Sequence, residues 1–221
     1  MIVAERKPIA EIRQMMEPHD KVLIVGCGAC VTVCMAGGEK EAEILATILE
    51  LAFKDEPKVF SWDCVERQCE PEFLEPLTSK VEASDAVLSM ACGAGVQTMV
   101  AQFPSVPIYP ALNTHFIGRP VEQGLWAETC AGCGNCILDK TGGICPIARC
   151  SKSLLNGPCG GSVDGRCEVD PENIECAWQL IYDRLKEAGR LHLLDEIMSP
   201  KDWSSSAHGG VRRVVREDVR L

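Results

Sequence analysis

The sequence predicts an α/β protein: a small parallel sheet with flanking helices, then a cysteine- and glycine-rich module and a C-terminal helix. Three observations carry this prediction. Short β-branched runs alternate with helical stretches through the first half of the chain, apolar periodicity vanishes where Cys and Gly crowd together, and it returns over residues 172–197. Strand and helix alternating at short spacing imply parallel strands joined by right-handed crossovers.

Residues 1–20 predict a leading helix, with Ile9, Ile12, Met15 and Met16 at helical spacing. Val22 to Val25 form a β-branched run ending in Gly26-Cys27-Gly28. A helix is expected from Glu39 to Phe53, with Ile44, Leu45, Ile48, Leu49 and Ala52 on one face. Lys58 to Trp62 read as a second strand, and Phe73, Leu74 and Leu77 as a second crossover segment. Ala86 to Met90 make a third strand, Gly95 to Phe103 a helix, and Val106 to Tyr109 a fourth strand. The expected division is 1–118 for the α/β part, 119–203 for the Cys-rich module with its helix, and 204–221 for a polar tail. That tail carries Arg212, Arg213, Arg216 and Arg220, and arginines of this kind are usually a solvated face.

Composition narrows the function classes. The formal net charge is −10 and aromatics are 5% of residues, which disfavours a nucleic-acid partner on both electrostatic and stacking grounds. The N-terminal residues have charges spread through them and read as neither a signal peptide nor a membrane span, and no later run is long and apolar enough to cross a bilayer. A soluble cytoplasmic protein is the expectation. In that compartment thiols stay reduced, so 14 cysteines point to metal binding rather than disulfides.

Six of those cysteines follow strands. Cys27, Cys30 and Cys34 lie in GCGACVTVCMAGG, Cys64 and Cys69 in WDCVERQCEPEF, and Cys92 in SMACGAGVQ. In an open parallel sheet, strand ends meet at one carboxyl edge, where ligands bind. Cys27, Cys30 and Cys34 can offer three thiolates from one loop. Cys92 and Cys69 are the better candidates to complete the set, and Cys64 reads as a bystander. Gly26, Gly28, Gly37 and Gly38 are expected to aim N–H groups at cluster sulfides, helped by the dipole of the helix opening near Gly38. A tetrathiolate zinc site would use the same donors, and small buried thiols can simply fill a core.

The second group is denser. Cys130, Cys133 and Cys136 form a CxxCxxC run, and Cys145 is followed by Pro146, the elements of bacterial ferredoxin motifs with a longer intervening loop. Cys150, Cys159, Cys167 and Cys176 complete a set of eight thiols, enough for two four-iron clusters or for one cluster and one zinc. The close third cysteine favours iron–sulfur over zinc for the Cys130 group; for the later four, zinc and iron–sulfur stand level. This segment cannot build a conventional core, and bound metal can supply its folding free energy.

Other chemistry finds little support. His19, His115, His192 and His208 show no paired metal spacing, Gly26-Cys27-Gly28 lacks the rest of a dinucleotide fingerprint, and neither GxSxG nor a P-loop occurs. The Trp178/Tyr182/Leu185 stripe reads as core packing.

The string CPIARCSKSLLNGPCGGSVDGRCEV, followed by CAWQLIYDRL, resembles the C-terminal domain family associated with methylenetetrahydrofolate reductase. With GCGACVTVCMAGGEKEAEIL and LSMACGAGVQ ahead of it, the chain from Val22 to Trp203 resembles the MetV-type small iron–sulfur subunits of acetogen-like reductases. The resemblance implies an accessory electron-transfer subunit in one-carbon metabolism and acetogenesis, not catalytic alone. Its partner would be a flavin-containing, barrel-shaped methylenetetrahydrofolate reductase subunit, with further redox subunits also allowed. The implied cofactors are two or three 4Fe-4S clusters, with zinc open at one site. A zinc-stabilised structural adaptor of the same complex is the alternative.

Overall fold

The computed structural model describes residues 1–205, 212–214 and 216–219. His208 and Arg220 lie outside the described residues. The chain divides into two compact units, Met1–Ala127 and Glu128–Leu221.

The first unit opens with β1 (Ile2–Arg6) and α1 (Ile9–Met16), then β2 (Lys21–Cys27), the short α2 (Cys30–Val33) and α3 (Glu39–Ala52). Next come β3 (Val59–Val65), two 3-10 turns through Pro71–Phe73 and Glu75–Leu77, and α4 (Thr78–Glu82). It continues through β4 (Ala86–Ser89), α5 (Gly93–Gln102), β5 (Ile108–Pro110), β6 (Leu112–Glu122) and the start of β7 (Leu125–Cys130), a strand that runs on into the second unit. A four-stranded parallel sheet has the order β3-β2-β4-β5. β2 is central, and its continuous run Val22–Cys27 is buried on both faces, the pattern of a covered parallel strand.

Side chains alternate across that sheet. Val22 and Ile24 join Ile12 and Met16 of α1 and Leu45 and Leu49 of α3 in one core cluster. Leu23 and Val25 point the other way, into a cluster with Leu74, Leu77, Val81, Met99 and Phe103. Helices therefore cover both faces, and the sheet is doubly wound.

Several elements differ from expectation. The leading helix is a strand followed by a shorter helix. β1 forms because β6 pairs with it antiparallel, Ile2 opposite Ile117 and Arg6 opposite Leu112. β1, β6 and β7 make a second sheet of three strands. Such long-range pairing outweighs local propensity, and nothing local in the mixed run LNTHFIGRPVE announces it. On α3 the buried face is Ala42, Leu45, Ala46 and Leu49, whereas Ile44 faces solvent. The fourth parallel strand starts at Ile108, two residues after Val106.

In the second unit the elements are α6 (Pro146–Arg149), β8 (Arg166–Cys167), β9 (Asp170–Glu175) and α7 (Ala177–Glu187). Residues 170–175 are thus a strand paired antiparallel with β8, not the start of the helix. The core is small: Cys176, Trp178, Ile181 and Leu185, with Ile144, Cys150, Leu154, Leu191, Leu193, Leu194 and Met198 packed around them. Trp178 and Leu185 are core as expected, while Tyr182 is 40% exposed. The LLNGPCGG string has a packing explanation. The Trp178 indole donates to the Leu154 carbonyl at 3.0 Å. Asn156 exchanges two 2.8 Å hydrogen bonds with the backbone of Met198. A side chain at Gly157 would collide with the Trp178 ring.

Candidate functional site

In the doubly wound sheet the chain first moves from β2 outward to β3, then returns to place β4 on the other side of β2. The crevice between the carboxyl ends of β2 and β4 is the topological switch point, where open α/β sheets bind ligands. Cys27 is the last residue of β2, and Cys92 directly precedes α5 after β4. Cys69 stands in the loop beyond β3, and Cys64 lies within β3 opposite Gly26.

Cys69, Cys27 and Cys92 are electrostatic neighbours. Partial burial pushes the Cys69 thiol pKa up, and the Cys27 and Cys92 thiols push it further. Cys64 is pushed up to about 11, mainly by burial, then by Cys27, Glu39, Asp63 and Glu41. Cys30 opens α2 and is partly exposed. Cys34 is buried in the same core cluster as Cys27, with Sγ 3.6 Å from the carbonyls of Ala4 in β1 and Val31. It also lines an open groove of about 1020 Å³ with Val3, Met35, Phe116 and Trp126.

The glycine amides are not aimed at a ligand. The Gly28 N–H donates to the Val65 carbonyl at 2.8 Å, and the Gly37 N–H to the Val31 carbonyl at 3.2 Å. The Gly38 N–H goes to the Glu41 carboxylate at 2.9 Å, so the N-terminus of α3 carries its own anion. What these glycines provide is close approach. A Cβ on Gly37 would overlap the Met90 carbonyl, and one on Gly26 would sit 3.1 Å from Cys64 Sγ.

The polar residue that organises this edge is Gln68, which sequence reading passed over. It is fully buried. Its Nε2 donates to the carbonyls of Val25 at 2.8 Å and Gly26 at 3.0 Å, and its Oε1 accepts from Ser89 Oγ at 2.6 Å. Ser89 Oγ in turn accepts the Ala91 N–H at 3.3 Å. The only signal in sequence is a Gln beside a Cys, indistinguishable from a solvated loop residue.

In the second unit, left-handed Gly132 (φ 60°) and Gly134 (φ 83°) flank Cys133 and wind the CAGCGNC loop tightly. The Gly132 N–H donates to Cys130 Sγ at 3.4 Å. Cys145 caps α6 at its N-terminus. Cys150, Cys159, Cys167 and Cys176 come from four segments and line one cavity of about 20 Å³, together with Arg149, Lys152, Glu168 and Trp178. Cys159 Sγ lies 3.7 Å from Glu168, which pairs with Lys152. Cys167 Sγ lies 3.5 Å from Ser151 Oγ, and the hydroxyl, which can donate to the thiolate, leads the causes lowering its pKa. Cys176 caps α7, its N–H held by the Gly165 carbonyl at 2.7 Å.

All 14 cysteines are free thiols. Among the described residues, no three His, Cys, Asp or Glu side chains are drawn close enough to hold one metal ion as they stand. The thiols are assembled by neighbourhood, not locked at ligating distance.

Residues 109–204 match the family described as methylene-tetrahydrofolate reductase C terminal, which relates this stretch, the smaller part of the chain, to that reductase. No curated protein and no solved structure matches the chain.

Proposed function

We propose that the chain is an electron-transfer iron–sulfur subunit that partners a flavin-containing methylenetetrahydrofolate reductase subunit and relays electrons to or from its flavin. The observation that carries this reading is the placement of the thiols, at the switch point of one unit and along a glycine-wound loop and around one cavity in the other. The relation of residues 109–204 to the reductase supplies the context.

The donor sets suit thiophilic centres, being thiols with no disulfide to unmake. Cys27, Cys69 and Cys92, with Cys30 from the same loop as Cys27, would hold a centre in the first unit. Cys130, Cys133, Cys136 and Cys145 would hold one in the second. Bound clusters supply one-electron redox chemistry. The chain's own part is to fix the thiols and donate N–H groups such as that of Gly132 to sulfur.

For Cys150, Cys159, Cys167 and Cys176 a specific observation favours zinc. Their cavity of about 20 Å³ has room for a single water-sized body, which suits one ion better than a cube of iron and sulfide. A mixed inventory follows, and the zinc adaptor is the second reading if iron is wholly absent. The test is iron, acid-labile sulfide and zinc per chain in protein purified without air, with its visible absorbance and any co-purifying flavoprotein. Iron and sulfide in equal amounts are expected. Colourless, folded protein with zinc alone would reject the electron-transfer reading.

A further inference from the structure

One buried side chain joins the three strand-end loops at the residues next to their cysteines. Gln68 itself precedes Cys69. Its amide nitrogen reaches the carbonyls of Val25 and Gly26, the latter directly before Cys27. Its amide oxygen takes the Ser89 hydroxyl, which holds the N–H of Ala91, directly before Cys92. Gly95, in the first turn of α5, leaves the space this requires, since a Cβ there would lie 3.0 Å from the Gln68 Cβ.

A buried amide is costly unless fully paired, and a fully paired one fixes geometry. Apolar packing would close a sheet edge at no such cost, and does so on both faces of this sheet. The network satisfies more than one isolated carbonyl: it ties the chain one residue ahead of three separate thiols. By contrast this network does not touch the loop at Cys34, whose thiol lies 3.6 Å from the Ala4 carbonyl of β1.

We propose that Gln68, with Ser89, is a positioning residue that sets Cys27, Cys69 and Cys92 as one three-thiol ligand group, and that Cys34 stands outside it. The proposal rests on the reading of this edge as a metal site.

The experiment uses full-length protein purified without air, with two readouts: metal per chain, and alkylation of each cysteine by iodoacetamide followed by mass spectrometry. Far-UV circular dichroism and the thermal transition select folded variants. In Gln68→Leu, protection of Cys27, Cys69 and Cys92 should fall at least tenfold together. Metal should fall by the complement of one site, with Cys150, Cys159, Cys167 and Cys176 unchanged. Ser89→Ala, which removes a single hydroxyl, should move the same three thiols in the same direction and serves if Gln68→Leu fails to fold. Cys34→Ala should keep its metal. Folded Gln68→Leu or Ser89→Ala with all three thiols still protected would overturn the positioning role. Loss of metal in Cys34→Ala equal to that in Cys69→Ser would overturn the ligand group. If Cys27→Ser, Cys69→Ser and Cys92→Ser all retain full metal, the metal reading of the edge falls, and this proposal with it.

Discussion

Gly37→Ala tests how tightly the cysteine loop is pressed onto the sheet. The new methyl would overlap the backbone carbonyl of Met90 and come within 2.9 Å of Leu112 Cδ1. A carbonyl cannot rotate away as a side chain can, so the loop must lift from the end of β4. Overpacking of this kind costs about 1–3 kcal/mol. Lifting also weakens the 2.8 Å hydrogen bond from the Cys27 N–H to the Gly37 carbonyl, a further loss of about 1 kcal/mol. The sum is about 2–4 kcal/mol, or roughly 8–16 °C in the melting transition of a unit this size. Gly28→Ala is the internal control, because its nearest atoms are carbonyl oxygens at 3.5 Å, ordinary contact. Urea and thermal unfolding of both variants, followed by circular dichroism, measure the difference. Equal stabilities within about 0.5 kcal/mol would refute the argument, since that is the scatter of ordinary surface substitutions.

Three further outcomes are expected. Trp178→Phe removes the indole donor to the Leu154 carbonyl and should destabilise the second unit by about 1–3 kcal/mol, read as an earlier loss of the near-UV signal on denaturation. Lys58→Met removes the two hydrogen bonds from Nζ to the carbonyls of Glu17 and His19, at 2.7 and 3.0 Å, while keeping an apolar stem beside Phe53. It should cost about 1–3 kcal/mol in chemical denaturation. Cys64 titrates near 11 when folded against 9.0 for an ordinary thiol. The unfolded chain therefore releases this proton first, and the Cys64 contribution is full below pH 9.0 and lost as pH rises to about 11. Comparing the wild type with Cys64→Ala across that range isolates it, and identical pH slopes would contradict the shift.

The parallel sheet was legible because its signals are local. The apolar run of β2 and the 3.6-residue spacing of Leu45 and Leu49 need no partner to be recognised. β1, β6 and β7 were not legible, because Ile2 finds Ile117 across more than half the chain and β6 is mostly polar. That omission also hid the surroundings of Cys34, whose thiol lies 3.6 Å from the Ala4 carbonyl of β1. The strand-end positions of Cys27 and Cys92 followed from the alternation alone. The role of Gln68 did not, since burial of a loop glutamine depends on three segments converging.

The occupied glycine amides have an electronic consequence. With the N–H groups of Gly28, Gly37 and Gly38 already bonded within the fold, the loop after β2 offers an anionic centre few amide donors. Glu70 adds negative charge beside Cys69, and Glu39, Asp63 and Glu41 add it beside Cys64. Such surroundings favour the oxidised state, because net charge and amide donors set cluster potentials. A centre seated there would give up electrons readily and accept them reluctantly. Glu70→Gln should raise its midpoint in a potentiometric titration, and an unchanged midpoint would show the carboxylate to be screened.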